Sequence, residues 1–597
     1  MSKRPARTLD IECYCNYFLL IVRDVRTGFV MRWEKFNGKE LGPYDKEKLI
    51  EVLRTSTIIT FNGLGYDHAL TCGYISGLDH DQLYGLGQFM IDTEMAQWRW
   101  NDEYDSIIEI DYVHIDIMNV APGIASLKIY GGRLHHSRLQ DLPVAWDKPI
   151  SEKDRLILIE YCINDNDVTA TVFKYLKEQL LLRQNLGKIY GIKLLSKSDA
   201  QIAEGVIRKL MTERGVNAKP KQLKVKKEYT YDAPDFITFE SKEFQDMFDI
   251  VLKAKFQLSA KGSVLLPKEV RNAIEYRGKK YQFGIGGLHS KESAVSYPRI
   301  EDTCYVDFDV TSYYPSIIIT NGYYPEPLTP QFVDVYDSIV QKRIKAKQDG
   351  DTVTADSLKI VVNSSFGKFG NQFSSMYDPK LLIQTTITGQ LALLMLIEMM
   401  ETRGIEVISA NTDGVMVIIQ SEHDSEMADQ AAKEWEELSG MFLEDEWYRE
   451  VYKESVNSYF AVETDGKIKG KGTYAKASLQ KNPAGTICTR AVTDYLVKGI
   501  PISTTVKSST DITEFTYIRT VKGGAVYRGN EVGKSVRWYY QKGETGIITY
   551  QSNGNKVPNS NGACLVNRLP SKFPTDIDYD RYIEIANDLL TAVGGGI

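Results

Sequence analysis

Residues 305–310, Tyr-Val-Asp-Phe-Asp-Val, alternate with a period of two. Tyr305, Asp307 and Asp309 share one face, and Val306, Phe308 and Val310 the other. The apolar face can anchor a strand in a sheet while the acidic face meets an open site. The same reading predicts strands over 8–14, 17–24 and 29–33, with Asp10 and Glu12 on one face of the first. A β-rich run over 57–61 ends in Asn62-Gly-Leu-Gly-Tyr66-Asp67, where the glycines form a turn and Tyr66-Asp67 opens a helix. A strand over 112–117 and a helix over 155–180 follow. Tyr161 and Asp165 are i,i+4 on one face of that helix, and Asp167 points away. A helix over 195–214 ends at Gly215, and 237–262 has no clear pattern.

Further along, helices over 333–347 and 355–367 are joined by 348–354. A long apolar helix spans 381–402. Two β-branched runs in 406–419 flank Asn411-Thr-Asp413-Gly414, a hairpin turn with Asp413 at its tip. The C-terminal region reads as a helix over 487–498, strands over 532–540 and 546–550, a polar loop over 553–562 and a helix over 579–592. Arg537, Trp538, Tyr539 and Tyr540 read as core packing, with base stacking as the alternative, and 594–597 as a frayed end.

Composition changes this picture in a few places. With 597 residues and 43% hydrophobic content, the chain exceeds one ordinary core, so three to five domains or subdomains are expected. The net charge of −7 requires any nucleic-acid contact to come from locally focused basic residues. The seven cysteines form no CxxC knuckle and read as free thiols. No uninterrupted 18-residue apolar run exists, and the run at 391–400 is too short to span a membrane, so a soluble intracellular chain is expected. His135-His136 reads as exposed polar surface. Lys219, Lys221, Lys224, Lys226 and Lys227 form a basic run that is either a solvated tether or a phosphate track. In 279–290, Gly284, Gly286 and Gly287 allow close backbone approach, and Lys279, Lys280, Tyr281 and His289 beside them could meet a nucleic-acid backbone.

Two acidic constellations carry the candidate chemistry. Asp10, Glu12, Asp67 and Asp165 come from separate elements and can surround two divalent ions, Mg²⁺ or Mn²⁺, with Tyr161 orienting a water. The bland alternative is a set of surface acids at strand ends. Ser126-Leu127-Lys128 could touch a single-stranded end. Asp309 and Asp413 can hold a second pair of Mg²⁺ ions. Arg343 and Lys347, and Lys359 and Asn363, are i,i+4 pairs that can present a helical hairpin to a triphosphate. Phe366 and Gly367 offer an aromatic surface and a flat backbone beside a base pair. Pro315 disfavours helix at Tyr314, whose ring could sit under a nucleotide sugar. The glycine–lysine segment 467–474 either follows primer phosphates or forms a turn with solvated lysines.

Together these motifs resemble a family B DNA polymerase of a compact bacteriophage-like type. Asp309–Ser316, DVTSYYPS, is similar to the first palm motif, residues 359–367 to the fingers motif, and Asn411-Thr-Asp413 to the Asp-Thr-Asp palm motif. Asp10-x-Glu12, Asn62–Asp67 and Tyr161–Asp165 resemble the three proofreading exonuclease motifs, and Gly286-Gly287 the glycine motif between the two domains. The resemblance implies a multidomain α/β fold: a ribonuclease H-like exonuclease domain and a right-hand polymerase with an antiparallel palm sheet, short helical fingers and a thumb. It divides the chain into an exonuclease domain (1–190), a connector (191–290), palm (291–331), fingers (332–367), palm (368–478) and thumb (479–597).

By that resemblance Asp309, Val310 and Asp413 hold the palm metals, with Asp309 and Asp413 catalytic, and Tyr314 is the sugar gate. Arg343, Lys347, Lys359, Asn363, Phe366 and Gly367 handle the incoming dNTP. Asp10, Glu12, Asp67 and Asp165 bind the exonuclease metals with Tyr161 assisting, and Asn62 and Leu127 place the frayed 3′ strand. Two Mg²⁺ per active site, replaceable by Mn²⁺, are implied. So are primer–template DNA, a single-stranded 3′ end and replisome proteins such as a helicase and a single-strand-binding protein as partners. A monomer without membrane contact, replicating a viral genome in the cytoplasm of an infected bacterial host, is expected. Two residues depart from the family: Asn411 stands where an Asp is usual, and Phe366 where a Tyr is usual. Asp307 is the candidate to supply the missing charge. Lys359 follows Asp309 by only 50 positions, so short fingers and priming from a 3′-hydroxyl are expected, and built-in strand displacement is not. No room for a further N-terminal domain is expected before Asp10.

Overall fold

The computed structural model describes residues 4–93, 104, 106–218 and 226–595. Lys219, Lys221 and Lys224 of the basic run, and the last two residues of the expected frayed end, lie outside them.

The N-terminal sheet contains β1 (Ala6–Tyr14), β2 (Tyr17–Asp24), β3 (Val30–Phe36), β4 (Lys39–Glu40), β5 (Thr57–Thr60) and β6 (Val113–Asp116), in the order β4-β3-β2-β1-β5-β6. The first four strands pair antiparallel, and β5 and β6 run parallel to β1. Tyr17 to Val22 are all buried because helices cover both faces of the sheet. Asp67–Ser76 and His80–Thr93 pack on Leu9, Ile11, Phe18, Leu20 and Val22. Glu152–Tyr175 packs on Tyr17, Leu19 and Ile21 through Leu158 and Cys162.

The next two helices, Lys177–Tyr190 and Asp199–Glu213, form a layer with the hairpin of Gln331–Gln348 and Thr352–Ser365. Leu186, Ile202, Ile339, Leu358 and Val361 share that core, so a boundary at 190 falls inside one packed unit. The hairpin loop is only 349–351, shorter than the expected 348–354. A small sheet of β7 (Glu228–Tyr229), β8 (Phe256–Leu258) and β9 (Val264–Leu265) adjoins helix Lys242–Lys253.

The central sheet has ten strands: β10 (Ile274–Tyr276), β11 (Lys279–Phe283), β12 (Leu288–Lys291), β13 (Val295–Tyr297), β14 (Cys304–Val310), β15 (Val407–Asn411), β16 (Gly414–Ile419), β17 (Leu443–Ser455), β18 (Ser458–Glu463) and β19 (Ile468–Lys471). β14 lies between β16 and β17, antiparallel to both. Val306, Phe308 and Val310 enter the core beneath helices Pro379–Thr402 and Glu422–Ser439. Tyr305 packs on the other face with Met416 and Tyr448.

Several expectations are corrected. Tyr314 and Pro315 lie inside a helix, Tyr313–Thr320. Pro315 is its third residue, where the missing N–H would have had no intrahelical partner anyway. The 279–290 segment belongs to the central sheet, since β12 pairs with β15, so the boundary at 290 cuts a strand. Tyr281 is buried, which withdraws it as a contact for a nucleic-acid backbone, while Lys279 and Lys280 pair at the surface with Glu406 and Glu275. Pro379–Thr402 is long and apolar enough to cross a membrane by length and composition, yet its apolar window is wholly buried in the fold. Its threonines interrupt the apolar run in sequence, but Thr385 Oγ1 donates to the Leu381 carbonyl at 2.9 Å and Thr388 Oγ1 pairs with the Tyr231 hydroxyl at 2.9 Å.

The C-terminal sheet, β20 (Tyr517–Tyr527), β21 (Asn530–Tyr540), β22 (Ile548–Tyr550) and β23 (Ala563–Leu565), packs on helices Thr486–Lys498 and Tyr579–Ala592. Arg537, Trp538, Tyr539 and Tyr540 are all buried. The Arg537 guanidinium donates to the carbonyls of His136 (2.7 Å), Ser137 (2.9 Å) and Asn567 (3.0 Å), tying this unit to the N-terminal one. His135 and His136 are therefore half-buried at a joint, not exposed.

Two candidate carboxylate sites

The first site is built on the centre of the large sheet. Asp309 lies opposite Gly414, the first residue of β16. A Cβ at Gly414 would collide with Asp309 Oδ1 and stand 3.3 Å from Asp307 Oδ1, so this position must be glycine for both carboxylates to keep their places. The β15–β16 turn is only Thr412-Asp413, and Val310 N donates to the Asp413 carbonyl at 2.8 Å. Thr412 has φ +63°, a conformation costly for a β-branched residue. It is held there from β12, since Thr412 N donates to the Leu288 carbonyl at 2.8 Å. Gly287, at φ +155°, leaves room for it, because a Cβ there would stand 2.8 Å from Thr412 Cγ2. The glycine segment thus braces the turn that carries Asp413.

Asp307, Asp309 and Asp413 line a cavity of about 290 Å³ with Asn411, Lys453, Lys469 and Lys471. Burial and the neighbouring Asp309 push Asp307 up to about 7. Burial and Asp413 push Asp309 up to about 6, and burial also raises Asp413. Lys469 and Lys471 oppose these shifts, which puts two lysines of the 467–474 segment beside the acids. The Asn411 amide is held by its neighbours: its Nδ2 donates to the Val456 carbonyl at 3.1 Å, and its Oδ1 accepts from Thr412 Oγ1 at 3.2 Å.

Asp309, Val310 and Asp413 also line a second cleft of about 630 Å³. Its walls include Tyr314, Arg343, Lys347, Lys359 and Asn363, so the helical hairpin and the carboxylates line one cleft. Arg343 Nη1 donates to Ser312 Oγ at 3.1 Å, which fixes that side chain over the turn after β14. Phe366 stacks on Tyr314 at 4.2 Å with ring planes 14° apart, and the Tyr314 hydroxyl donates to the Gly286 carbonyl. Gly367 is exposed with open space around it.

The second site lies on the N-terminal sheet. β1 pairs with β5 only as far as Thr8. Beyond it Ile11 N donates to Asp67 Oδ1 at 2.9 Å, and Asp67 begins its helix. Asp10 and Glu12 share the face that meets helix Glu152–Tyr175, which brings Tyr161, Cys162 and Asp165. Cys162 Sγ donates to Asp10 Oδ2 at 3.3 Å. Asp10, Glu12 and Cys162 offer ligand atoms within 4.8 Å of one another, a potential metal-binding cluster.

Burial, then Asp165, pushes Asp10 up to about 7, and burial with Asp10, Asp165 and Asp67 raises Glu12 well above the carboxylate range. Asp67 and Asp165 are raised too, chiefly by burial. The four predicted acids therefore converge. Lys128 joins them: it forms an ion pair with Asp165 and lies 4.2 Å over the Tyr161 ring. The sequence reading had it only as a contact for a strand end. Asp116, also unforeseen, accepts from Asn62 N (2.9 Å) and Leu64 N (3.0 Å) and fixes the turn before Asp67.

Both sites fit hard divalent cations. Crowded carboxylates with raised pKa values lose that penalty when a cation sits among them, and most of the donors are oxygens. Asp309 and Asp413 with Asp307, and Asp10, Glu12, Asp67 and Asp165, are the residues that would hold them.

No protein-family model matches the chain. Over 157 residues it is 29% identical to DNA polymerase II of Escherichia coli (strain K12), a match that takes in 22% of this chain and 20% of that protein. The chain thus spans about a fifth of that relative's length. Among solved structures, it is similar to the family B DNA polymerase from the hyperthermophilic archaeon Pyrobaculum calidifontis, with a TM-score of 0.44 and 15% identity. That comparison covers 100% of this chain and 78% of that one.

Proposed function

We propose that the chain is a family B-type DNA-directed DNA polymerase that extends a primer 3′-hydroxyl and proofreads with a separate 3′→5′ exonuclease site. The carrying observation is that Asp309 and Asp413 line both the acidic cavity and the cleft walled by Arg343, Lys347, Lys359 and Asn363. Carboxylates for metal on one side and cations for a polyphosphate on the other are what nucleotidyl transfer needs. The partial similarity to a bacterial DNA polymerase supports the same reading.

In the polymerase site, Lys359, Lys347 and Arg343 would receive the triphosphate, and Tyr314, held by Phe366 and Gly286, would lie under the sugar and exclude a 2′-hydroxyl. Bound divalent cations would lower the pKa of the attacking hydroxyl and stabilise charge on the leaving phosphates. In the exonuclease site, Tyr161 would position the attacking water and Lys128 would offset charge on the scissile phosphate. The six-stranded order with β5 and β6 parallel to β1 supports the ribonuclease H-like assignment. Primer extension with Mg²⁺ and dNTPs tests the reading. The D10A/E12A variant is expected to extend without degrading, and equal loss of both activities would refute the division into two sites.

A further inference from the structure

The cavity that Asp307, Asp309 and Asp413 line has a lysine in its wall that solvent barely reaches. Lys453 lies near the end of β17, and its side chain is only 1% exposed. Strict alternation from Glu446, which sits opposite Asp307, would send Lys453 to the other face of the sheet. β17 instead carries one extra residue between Tyr448 and Glu450 relative to β18. This bulge shifts the alternation, so Val451 joins Tyr448 and Tyr305 in one cluster. Lys453, two residues further on, therefore falls on the face of Asp307 and reaches its cavity.

Lys453 is held in that place. Its ammonium forms an ion pair with Glu292, whose side chain is 9% exposed. Glu292 Oε1 accepts from Ser290 Oγ at 2.5 Å, and Ser290 Oγ accepts from Ala410 N at 2.9 Å. Ala410 precedes Asn411 at the end of β15, so the pair is braced by the strand that leads to Asp413. Lys453 lines the cavity, and Glu292 is not among its described lining residues, so the pair turns its positive end to the carboxylates. Lys453 and Asp307 each favour the other's ionised form, and Glu292 does the same for Lys453.

The other lysines of the cavity wall differ. Lys469 has a side chain 41% exposed and pairs with Glu446, and Lys471 is exposed. Solvent and salt weaken charges in such places, whereas a buried charge keeps its effect. Lys453 is thus the fixed part of the positive potential around the three carboxylates, and Asn411 beside them adds no charge.

We propose that Lys453 is a positioning residue for the cation site of the central sheet: its buried ammonium limits how tightly Asp307, Asp309 and Asp413 hold divalent ions, and Glu292 fixes it there. Such a charge keeps the ions exchangeable between rounds of nucleotide addition. The proposal rests on the reading of these acids as a cation site, and its use in catalysis rests on the polymerase reading.

The test is a Mn²⁺ titration of the full chain, read by electron paramagnetic resonance. Every protein carries D10A/E12A, which cripples the N-terminal acidic cluster as a competing site. Lys453→Met should bind Mn²⁺ at least about fivefold more tightly than this parent, because a unit positive charge beside the site is removed. Glu292→Gln leaves that charge unopposed and should weaken binding at least about fivefold. K453M/E292Q removes both charges and should stay within about twofold of the parent. The Mg²⁺ concentration for half-maximal primer extension should move in the same directions. Loosening of the fold alone would weaken Mn²⁺ binding in both single variants, and that result, or no shift in either, would overturn the proposal. If Lys453→Met melts early because Glu292 is left without its partner, the other two variants decide. Weakened binding in Glu292→Gln that K453M/E292Q recovers supports the charge role, and unchanged binding in Glu292→Gln overturns it. Opposite shifts in Mn²⁺ affinity without any extension by the parent would support the charge role and defeat the polymerase reading.

Discussion

Asp307→Asn is expected to stabilise the cation-free protein at pH 8. Asp307 is half-buried beside Asp309, and burial with that neighbouring charge raises its pKa from 3.8 to about 7. The folded state therefore binds a proton that the unfolded state releases between these values. Stability linked to this proton is fully present below about pH 4 and lost as pH rises towards about 7. Three pH units correspond to about 4 kcal/mol, an upper bound on what the ionised carboxylate costs above neutrality. Asn keeps the shape and removes the charge, so a gain of about 2–4 kcal/mol is expected at pH 8 in EDTA, fading towards pH 4. Mg²⁺ should reverse the order, because a cation bound to the wild-type cluster stabilises the folded state by mass action and finds one carboxylate fewer in the variant. Thermal melts at both pH values, with EDTA or Mg²⁺, read all four conditions. Equal melting at pH 8 in EDTA, or equal stabilisation of both proteins by Mg²⁺, would refute Asp307 as the compensating carboxylate for Asn411.

Other outcomes follow from the same geometry. Gly414→Ala drives a Cβ into Asp309 Oδ1, so primer extension should fall at least about a hundredfold while degradation of a single-stranded 3′ end is retained. Lys128→Met removes the cation paired with Asp165, and a loss of about tenfold or more, at least about 1.4 kcal/mol in the barrier, is expected in exonuclease rate with extension unchanged. His114 is held near 3 by burial, so the unfolded state binds a proton between about 3 and 6.5 that the folded state refuses. Stability then falls as pH drops through that window, and His114→Gln should make the decline in melting temperature from pH 7 to pH 4.5 shallower.

Much of the architecture was legible where local pattern and tertiary demand agree. The alternation over 305–310 foretold a strand with a core face and an acidic face, and the Asn411–Gly414 turn foretold the tip that carries Asp413. Helical spacing brought Arg343, Lys347, Lys359 and Asn363 to one cleft. What escaped depends on contacts between distant segments. Tyr281 and Lys279 looked available because nothing near them in sequence reveals that β12 pairs with β15 or that Glu406 waits across the sheet. Lys128 became part of the acidic cluster only through a helix that delivers Asp165 from 37 residues further on. Pro315 misled because the residue before a proline is usually extended, whereas here the first turn of a helix accepts the ring. His135 and His136 looked exposed because Arg537, which donates to the carbonyls of His136 and Ser137, lies in the C-terminal sheet.

The most direct measurement is extension of a labelled primer on a DNA template with Mg²⁺ and the four dNTPs, wild type beside Asp413→Asn. The account predicts template-length product from the wild type, none from Asp413→Asn, and 3′ degradation by both when dNTPs are withheld. Degradation without any dNTP-dependent extension by the wild type, or undiminished extension by Asp413→Asn, would contradict it.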